Sequence, residues 1–241
     1  TLYQENDSSK YSYDIYKSTQ NKMGFWSDPV RLDESINTKD DDFPIYVYSN
    51  QKSIIFQSDL KDKKNQTLKI TNFTDSIWST PDTINIKNYV NKFNFADFCF
   101  SSDRKILISA IQTGKSKGEK DLYVSFLNNK GVYTEPLNLG DVVKSYDDEG
   151  TPFLAKDNKT LYYYSYGHPG YGNSDIFVTT RLDDTWTNWS EPKNVGLPVN
   201  SEAAEAFFII DEQNKFAYFV SNYDGIEKIY KIRLSLQDDI D

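Results

Sequence analysis

Two apolar runs separated by a glycine-rich segment mark the most regular part of the chain, residues 161–179. The first run, Leu161-Tyr162-Tyr163-Tyr164, has the aromatic composition that β-strands favour. Glycine and proline then accumulate over residues 167–172, as they do in turns. The second run, Asp175-Ile176-Phe177-Val178, again has the composition of a strand. The pattern therefore predicts a β-hairpin with a long tip that is shaped by glycine.

This hairpin recurs along the chain at a nearly constant spacing. An Ile or Leu of its second strand falls at positions 15, 68, 122, 176 and 229, so successive copies are 53, 54, 54 and 53 residues apart. The last four copies are each preceded by an acidic turn and a further apolar strand. The first four are each followed by an aromatic residue three positions before a proline, at Trp26–Pro29, Trp78–Pro81, Tyr133–Pro136 and Trp189–Pro192. Landmarks that repeat in step identify an internal repeat of about 54 residues.

Each repeat is predicted to form four short strands, named a to d in chain order. Full sets are predicted at 42–87, 95–140 and 149–197, with three strands over 1–32 and three over 205–236, which gives 18 strands. Small sheets of this kind bury their faces by packing radially, which leaves only short edges. We therefore predict an all-β fold with almost no helix. It is a β-propeller of four-stranded antiparallel blades in a single domain, 1–241, with five blades preferred and four as the alternative. The four aromatic anchors are expected in the core between blades.

The most regular copy also carries a specific motif. It reads Ser165-x-Gly167-His168-Pro169-Gly170-x-Gly172-x-x-Asp175-Ile176, together with Trp-Ser-x-Pro elements and Glu149-x-x-Pro152-Phe153. The motif resembles the PD40 repeat, a WD40-like propeller repeat of TolB-type bacterial envelope proteins, and the resemblance covers nearly the whole chain. It implies a protein of the periplasm or cell surface of a Gram-negative bacterium, associated with the outer membrane and often found with OmpA-type domains. It also implies envelope protein partners, an outer-membrane complex among them.

Charge and composition exclude several classes of partner. The net charge is −9 and the lysines are scattered among acids, so the concentrated basic patch that nucleic acids or anionic membranes require is missing. No apolar run approaches the length of a membrane span. Cys99 is the only cysteine, which rules out an internal disulfide. Within Phe98-Cys99-Phe100 it is expected to be a buried apolar residue.

The candidate catalytic residues favour a non-catalytic protein. His168 is the only histidine, and its His-Pro-Gly context favours a turn role. The acids recur in register before the a strands, where a repeated acid is most simply a hydrogen-bond acceptor at the start of a strand. A glycoside hydrolase instead needs a carboxylate pair about 5–9.5 Å apart, with an acid that one blade alone carries. We expect no enzymatic activity, no cofactor and no metal site. A carbohydrate-binding propeller and a glycoside hydrolase stay open as alternatives.

The acidic turns and the hairpin tips are expected on one face, since the d-to-a and b-to-c loops of a propeller emerge on the same side. Such an acidic face would attract a basic protein segment or a hard cation. We expect a protein partner, with a glycan or peptidoglycan fragment as the alternative. The residues expected to contact it are Asp41, Asp42, Asp147, Asp148, Glu149, His168, Tyr171, Glu202 and Glu205. Exposed rings at Tyr171, Tyr223 or Trp186 would favour the glycan.

Overall fold

The computed structural model of the chain is all β. It describes residues 13–38, 41–48, 52–58, 67–211, 213 and 215–234. These residues form 20 strands and no helix, which confirms the predicted fold class, a β-propeller of small antiparallel sheets. In the part of the chain so described, no helix is available to cross a membrane. The chain divides into two compact units, residues 1–85 and 86–241. The assignment of one domain to 1–241 stays a prediction.

The first unit contains a two-stranded sheet and one blade. Its strands are β1 (Tyr16–Lys17), β2 (Val30–Arg31), β3 (Phe43–Val47), β4 (Ser53–Ser58), β5 (Thr67–Thr74), β6 (Ile77–Trp78) and β7 (Asp82–Thr83), and β8 (Asn85–Ile86) begins at its end. β1 pairs with β2, while β3, β4, β5 and β7 are successive antiparallel neighbours that we call blade A. Ile54, Ile55 and Phe56 are consecutive and all buried, so both faces of β4 are covered.

The second unit contains three blades. Its strands are β9 (Asp97–Phe100), β10 (Ile106–Ile111), β11 (Asp121–Phe126), β12 (Val132–Tyr133), β13 (Leu137–Asn138), β14 (Glu149–Leu154), β15 (Thr160–Ser165), β16 (Asp175–Thr180), β17 (Lys193–Asn194), β18 (Glu205–Asp211), β19 (Phe216–Ser221) and β20 (Lys228–Arg233). Blade B has the order β9-β10-β11-β13, blade C has β14-β15-β16-β17, and blade D has β18-β19-β20. Cys99 is buried in β9, as expected for a small apolar residue.

Successive blades of the second unit pack through apolar clusters. Tyr163 of blade C lies in one cluster with Ile108 and Leu122 of blade B. Ile176, on the same blade C, belongs to another cluster with Phe208 of blade D. Burying one such side chain contributes roughly 1.5–3 kcal/mol, so the aromatic and aliphatic repeat positions supply much of the favourable free energy of folding.

A backbone hydrogen bond also links blades A, C and D to the sheet that precedes each of them within its own unit. The N–H of Glu149 donates to the carbonyl of Lys120 at 3.0 Å, and the N–H of Glu205 donates to the carbonyl of Ser174 at 2.9 Å. In the first unit, the N–H of Asp42 donates to the carbonyl of Tyr13 at 2.8 Å. The acid at the start of an a strand thus joins that strand to the c strand of the preceding sheet. This contact accounts for the fixed distance between the two landmarks in the sequence.

The observed blades match the predicted repeats closely, but the strand count differs. Blades run over 43–83, 97–138, 149–194 and 205–233, and the described residues form more strands than the 18 predicted. The additional strands are β6, β8 and β12. Each is two residues long and lies next to a d strand in the sequence. The described residues give four blades, the alternative count. A fifth would need the strand predicted at Leu2-Tyr3, which lies outside the described residues, as does the tip predicted at 59–65.

The expectation that all four aromatic anchors are buried is wrong for Trp26. Trp189 and Tyr133 are buried and Trp78 is half-buried, whereas Trp26 is 68% exposed. The ring of Tyr133 packs on Phe100, and its hydroxyl donates to a backbone carbonyl between strands a and b of its own blade. Trp26 forms an isolated bridge with Gln20 beside a sheet of only two described strands, so its described surroundings contain no equivalent of these contacts.

Candidate functional site on the loop face

Hairpin tips and the turns before the a strands lie together in the second unit, as predicted. A Cβ on Gly118 would come within 2.2 Å of the Asp147 carbonyl oxygen, so tip and turn are in direct contact there. In the next pair, the N–H of Asn173 donates to the carbonyl of Ala203 at 2.9 Å. We call this surface the loop face and define it as residues 113–120, 145–148, 166–174, 201–204 and 222–227.

Glu149 is fully buried beneath the loop face and accepts hydrogen bonds from two serines. Its carboxylate receives the Ser145 N–H at 3.1 Å, the Ser145 hydroxyl at 2.5 Å and the Ser165 hydroxyl at 2.8 Å. Burial raises the pKa of Glu149 to about 7, although these donors favour the charged form. We call this arrangement of one acid and two flanking hydroxyl residues a carboxylate socket. It holds the turn before strand a against the end of strand b.

The socket is repeated at the start of blade D. Glu205 is fully buried and receives the Ser201 N–H at 3.0 Å, the Ser201 hydroxyl at 2.5 Å and the Ser221 hydroxyl at 2.7 Å. The spacing is identical to that around Glu149, with a serine four residues before the acid and another sixteen residues after it. Glu202, three residues earlier in the same turn, is exposed.

The first unit holds an incomplete version of the socket. Asp42 is fully buried and accepts from the N–H and the hydroxyl of Thr38 at 2.6 and 3.0 Å. Burial raises its pKa to about 6. Its second oxygen and the hydroxyl of Ser58 have no hydrogen-bond partner. An aspartate is one methylene shorter than a glutamate, which accounts for the missing contact. Asp41 accepts the N–H of Tyr13 at 3.0 Å, so it also braces the start of this blade.

Asp148 belongs to a buried ionic cluster between blades B and C. The Lys120 ammonium lies 2.8 Å from Asp97 and 3.7 Å from Asp148, and it is within 3.1 Å of the Tyr164 hydroxyl. The Tyr164 hydroxyl also donates to Asp148 at 2.8 Å. Burial raises the pKa of Asp148, while the Lys120 charge opposes that shift. We call these four residues the Lys120 cluster. Its two carboxylates share one lysine instead of facing an open site.

His168 anchors the tip of blade C from inside. Its Nε2 lies 3.0 Å from the Val143 carbonyl and 3.3 Å from the Tyr163 hydroxyl. Its ring packs against Phe177, and its backbone N–H donates to Ser165 at 3.2 Å. The carbonyl contact places a proton on Nε2, which is the arrangement of a structural histidine. This geometry agrees with the turn role expected for its His-Pro-Gly context.

The exposed part of the loop face is aromatic and acidic. Asp147 and Glu202 are exposed, and so are Tyr171 at 58% and Tyr223 at 67%. Tyr146 is the most exposed ring among the described residues at 83%, with the Lys117 ammonium 3.8 Å from its ring centre. Hydrogen bonds hold the backbone at two of these rings, since the N–H of Tyr171 donates to Asp175 at 2.8 Å and the N–H of Tyr223 donates to the Ser221 hydroxyl at 3.1 Å. Rigid aromatic side chains of this kind lose little entropy on binding.

The structure thus separates the predicted contact residues into two groups. Asp42, Asp148, Glu149 and Glu205 are buried and hold the fold, and His168 is engaged with the backbone. Asp147, Tyr171 and Glu202 remain on the surface. Sequence reasoning missed Tyr146 and Lys120. The position of Tyr146 inside an acidic turn, and a lysine where the next copy has Ser174, were the available signals.

Trp186 differs in exposure from the tyrosines of the loop face. Trp186 is buried against Phe126 and Trp189, so it is not one of the exposed rings that would favour a glycan. In the described part of the chain, no three His, Cys, Asp or Glu side chains are grouped so as to hold a metal ion. The exposed tyrosines and acids of the loop face can bind a partner by ring stacking, hydrogen bonding and charge attraction.

Comparison with solved structures supports the fold. An α-L-arabinofuranosidase from Lactobacillus brevis is similar with a TM-score of 0.52 at 13% identity, over 87% of this chain and 78% of the enzyme. TolB from Acinetobacter baumannii is similar with a TM-score of 0.49 at 12% identity, over 89% of this chain, which spans only 45% of TolB. The tricorn protease has a TM-score of 0.41 at 14% identity, with coverage of 90% and 24%. No protein-family model and no curated protein matches the sequence, so membership of the PD40 family stays a prediction.

Proposed function

We propose that this chain is a non-catalytic protein-interaction or scaffolding module of the bacterial cell envelope, which binds a partner through the loop face. The observation that carries the proposal is the division of labour among the acids. Glu149 and Glu205 fill carboxylate sockets and Asp148 belongs to the Lys120 cluster, while exposed tyrosines and exposed acids such as Asp147 and Glu202 occupy the surface above. Tyrosines on a fixed backbone are the residues that protein interfaces favour.

The charge of the chain supports a basic segment as the partner's contact region. The net charge is −9, and the exposed acids Asp147 and Glu202 add a local negative potential. Such a field speeds association with a positively charged partner and weakens as salt rises. The PD40 resemblance supports the periplasm or the cell surface as the compartment. The buried acids Glu149 and Glu205 accept hydrogen bonds from serines and Asp148 pairs with Lys120, which supports a structural role for these acids.

A capture experiment with envelope extracts tests the proposal. The loop-face variant carries Tyr146→Ala, Tyr171→Ala and Tyr223→Ala with Asp147→Asn and Glu202→Gln, and it leaves the buried acids untouched. The matched control carries Leu182→Ala and Lys130→Gln, both exposed in turns between strands c and d. We expect a protein that wild type and control retain and the loop-face variant loses, with cross-links to residues 145–147 or 171. Equal capture by all three proteins would reject the loop face.

A second candidate is glycan or peptidoglycan-fragment binding, favoured by the exposed rings of Tyr171 and Tyr223. Sugar rings stack on aromatic faces, and both rings lie on the loop face. Titration calorimetry with purified muropeptides checks this candidate. Binding that disappears in Tyr171→Ala and Tyr223→Ala, without loss of a captured protein, would favour the glycan over the protein partner. Hydrolysis of aryl glycosides by the purified chain would overturn the non-catalytic proposal.

A further inference from the structure

The outermost strand of blade D is paired on one side only. β20 pairs with β19 throughout its length, and no described strand lies on its other side. In blades A, B and C, the equivalent c strands β5, β11 and β16 have neighbours on both sides. In the first unit, β1 pairs with β2, which is its only neighbour among the described strands. A one-sided strand presents backbone groups that a further strand can pair with.

The rest of the chain shows what covers such an edge. Each of the four other c strands is met by a segment of the pattern Pro-x-x-aliphatic, namely Pro29–Leu32, Pro81–Ile84, Pro136–Leu139 and Pro192–Val195. In every case the N–H of the aliphatic residue donates to the carbonyl of the recurring Ile or Leu on strand c. The donors and acceptors are Leu32 to Ile15 at 3.0 Å, Ile84 to Leu68 at 2.8 Å, Leu139 to Leu122 at 3.0 Å and Val195 to Ile176 at 3.0 Å.

Ile229 is the fifth member of this series, and no covering segment meets it among the residues that the structure describes. The Ile and Leu residues at 15, 68, 122 and 176 are all buried, whereas Ile229 is 78% exposed. In blade C, Ile176 belongs to a cluster with Phe208 of the next blade, and Val195 of the covering segment packs against that cluster. We therefore call β20 at Ile229 the docking edge. The Pro-x-x-aliphatic segments on the other c strands show which kind of segment can pair with it.

The charge of β20 indicates which residues a segment should carry in order to pair with it. In blade A, the residue after the proline, Asp82, faces Ile70 across the strands, and in blade C the equivalent Lys193 faces Val178. By the repeat spacing, the residue of β20 at this place is Lys231, which is exposed. A cross-strand pair of opposite charge is favourable and one of like charge is unfavourable. The acidic version of the pattern is therefore the better match.

We propose that blade D binds an extended segment of a partner protein with the sequence pattern Pro-acidic-x-aliphatic, which adds antiparallel to β20 as its fourth strand. The N–H of the aliphatic residue donates to the carbonyl of Ile229, and the acid faces Lys231. Strand addition of this kind draws its affinity from main-chain hydrogen bonds and its specificity from alternate side chains. The site is separate from the loop face, and neither proposal depends on the other.

The test uses a labelled peptide of residues 78–86, Trp-Ser-Thr-Pro-Asp-Thr-Ile-Asn-Ile, added to the purified chain. Fluorescence anisotropy should show saturable binding. N-methylation at the Ile84 position removes the donated hydrogen bond and should weaken binding by about tenfold. Replacing the Asp82 position by Lys sets like charges opposite each other and should weaken it several-fold. In the protein, Ile229→Asp should abolish binding, while Ile226→Asp, which changes another exposed isoleucine in the adjacent tip, should leave it unchanged.

Two results would overturn the proposal. One is a peptide that does not bind, or that binds wild type and Ile229→Asp equally. The other is slow hydrogen exchange at the Ile229 amide without any peptide, which would show that residues of this same chain already cover the edge. Circular dichroism of the Ile229→Asp protein separates loss of the docking edge from loss of the fold. Loss of envelope-protein capture in the loop-face variant is an independent readout, so the two proposals fail separately.

Discussion

Blades B and C differ in the buried residues that pair strand a with strand b at the start of the blade. Blade C begins with Glu149 in its carboxylate socket, with Ser165 at the paired position on strand b. In blade B, the register places Ala96 and Ile111 at these positions, directly beside the Asp97–Ala110 pair. Both Ala96 and Ile111 are buried. Blade B therefore replaces a buried acid and its hydroxyl partner by two apolar residues.

The backbone follows the same division. Strands β14 and β18 each carry a bulge just after the acid, with Thr151 and Phe207 at positive φ angles of 40° and 55°. β9 pairs with β10 without interruption. The charge that blade B does carry sits one residue later, on Asp97, where it pairs with Lys120. The comparison teaches that acid and hydroxyl form one unit, since removing both together avoids leaving a buried group unpaired.

The largest expected effect comes from breaking a socket while keeping its hydroxyls. Glu205→Leu leaves the Ser201 N–H and two serine hydroxyls without an acceptor in a buried site. We expect a loss of about 3–5 kcal/mol in the free energy of unfolding, measured by urea denaturation. The matched control is Glu202→Leu in the same turn, whose exposed side chain should change stability by no more than about 0.5 kcal/mol. Equal effects for the two variants would show that Glu205 is not a structural acid.

A somewhat smaller effect is expected in the Lys120 cluster. Lys120→Met leaves Asp97 and Asp148 without their shared cation, and we expect a loss of about 2–4 kcal/mol, because a buried charge without its partner is costly. Asp97 is partly exposed, so water offsets some of that cost. Adding Asp97→Leu should recover part of the loss, as blade B tolerates apolar neighbours here. Lys117→Met, on the exposed tip, is the control, and a similar loss there would contradict the assignment.

The smallest expected effect is a pH dependence of stability to which Glu149, in the socket of blade C, contributes. The pKa of Glu149 rises from its ordinary 4.5 to about 7 in the folded chain, so the folded state binds the proton more tightly. The free energy of unfolding should therefore fall as pH rises from 4.5 through 7, by about 1–3 kcal/mol for this group. The raised pKa of Asp42 acts in the same direction up to about pH 6.

Glu149→Gln removes the titrating group and keeps the shape of the side chain. We expect a flatter pH dependence between 4.5 and 7 in this variant than in wild type, measured by urea denaturation at several pH values. Glu202→Gln, which is exposed, should keep the wild-type slope. An unchanged slope in Glu149→Gln would mean that Glu149 stays charged in the folded chain, and that the socket does not act as inferred.

Much of the fold could be predicted because the same contacts recur in several copies of the repeat. Three repeated features of the sequence correspond to observed hydrogen bonds. They are the Ile and Leu series on the c strands, the acids before the a strands and the proline segments at the d strands. The interpretation of a repeated acid as a hydrogen-bond acceptor is confirmed at Glu149 and Glu205. Prediction failed where copies share a residue but differ in surroundings. Trp26 and Trp189 occupy the same place in the repeat, yet one is exposed and the other buried.

The sequence by itself determined the period, the strand order within each blade and the apolar repeat positions that pack one blade against the next. Those features depend on alternation and spacing, which are local and repeated. Only the tertiary structure decided which member of the run Asp147-Asp148-Glu149 faces water, which enters the Lys120 cluster and which enters a socket. The physical reason is that adjacent side chains on an extended chain point to opposite sides. Their burial is then set by residues from other strands, such as Lys120 and Ser165, that the local sequence does not contain.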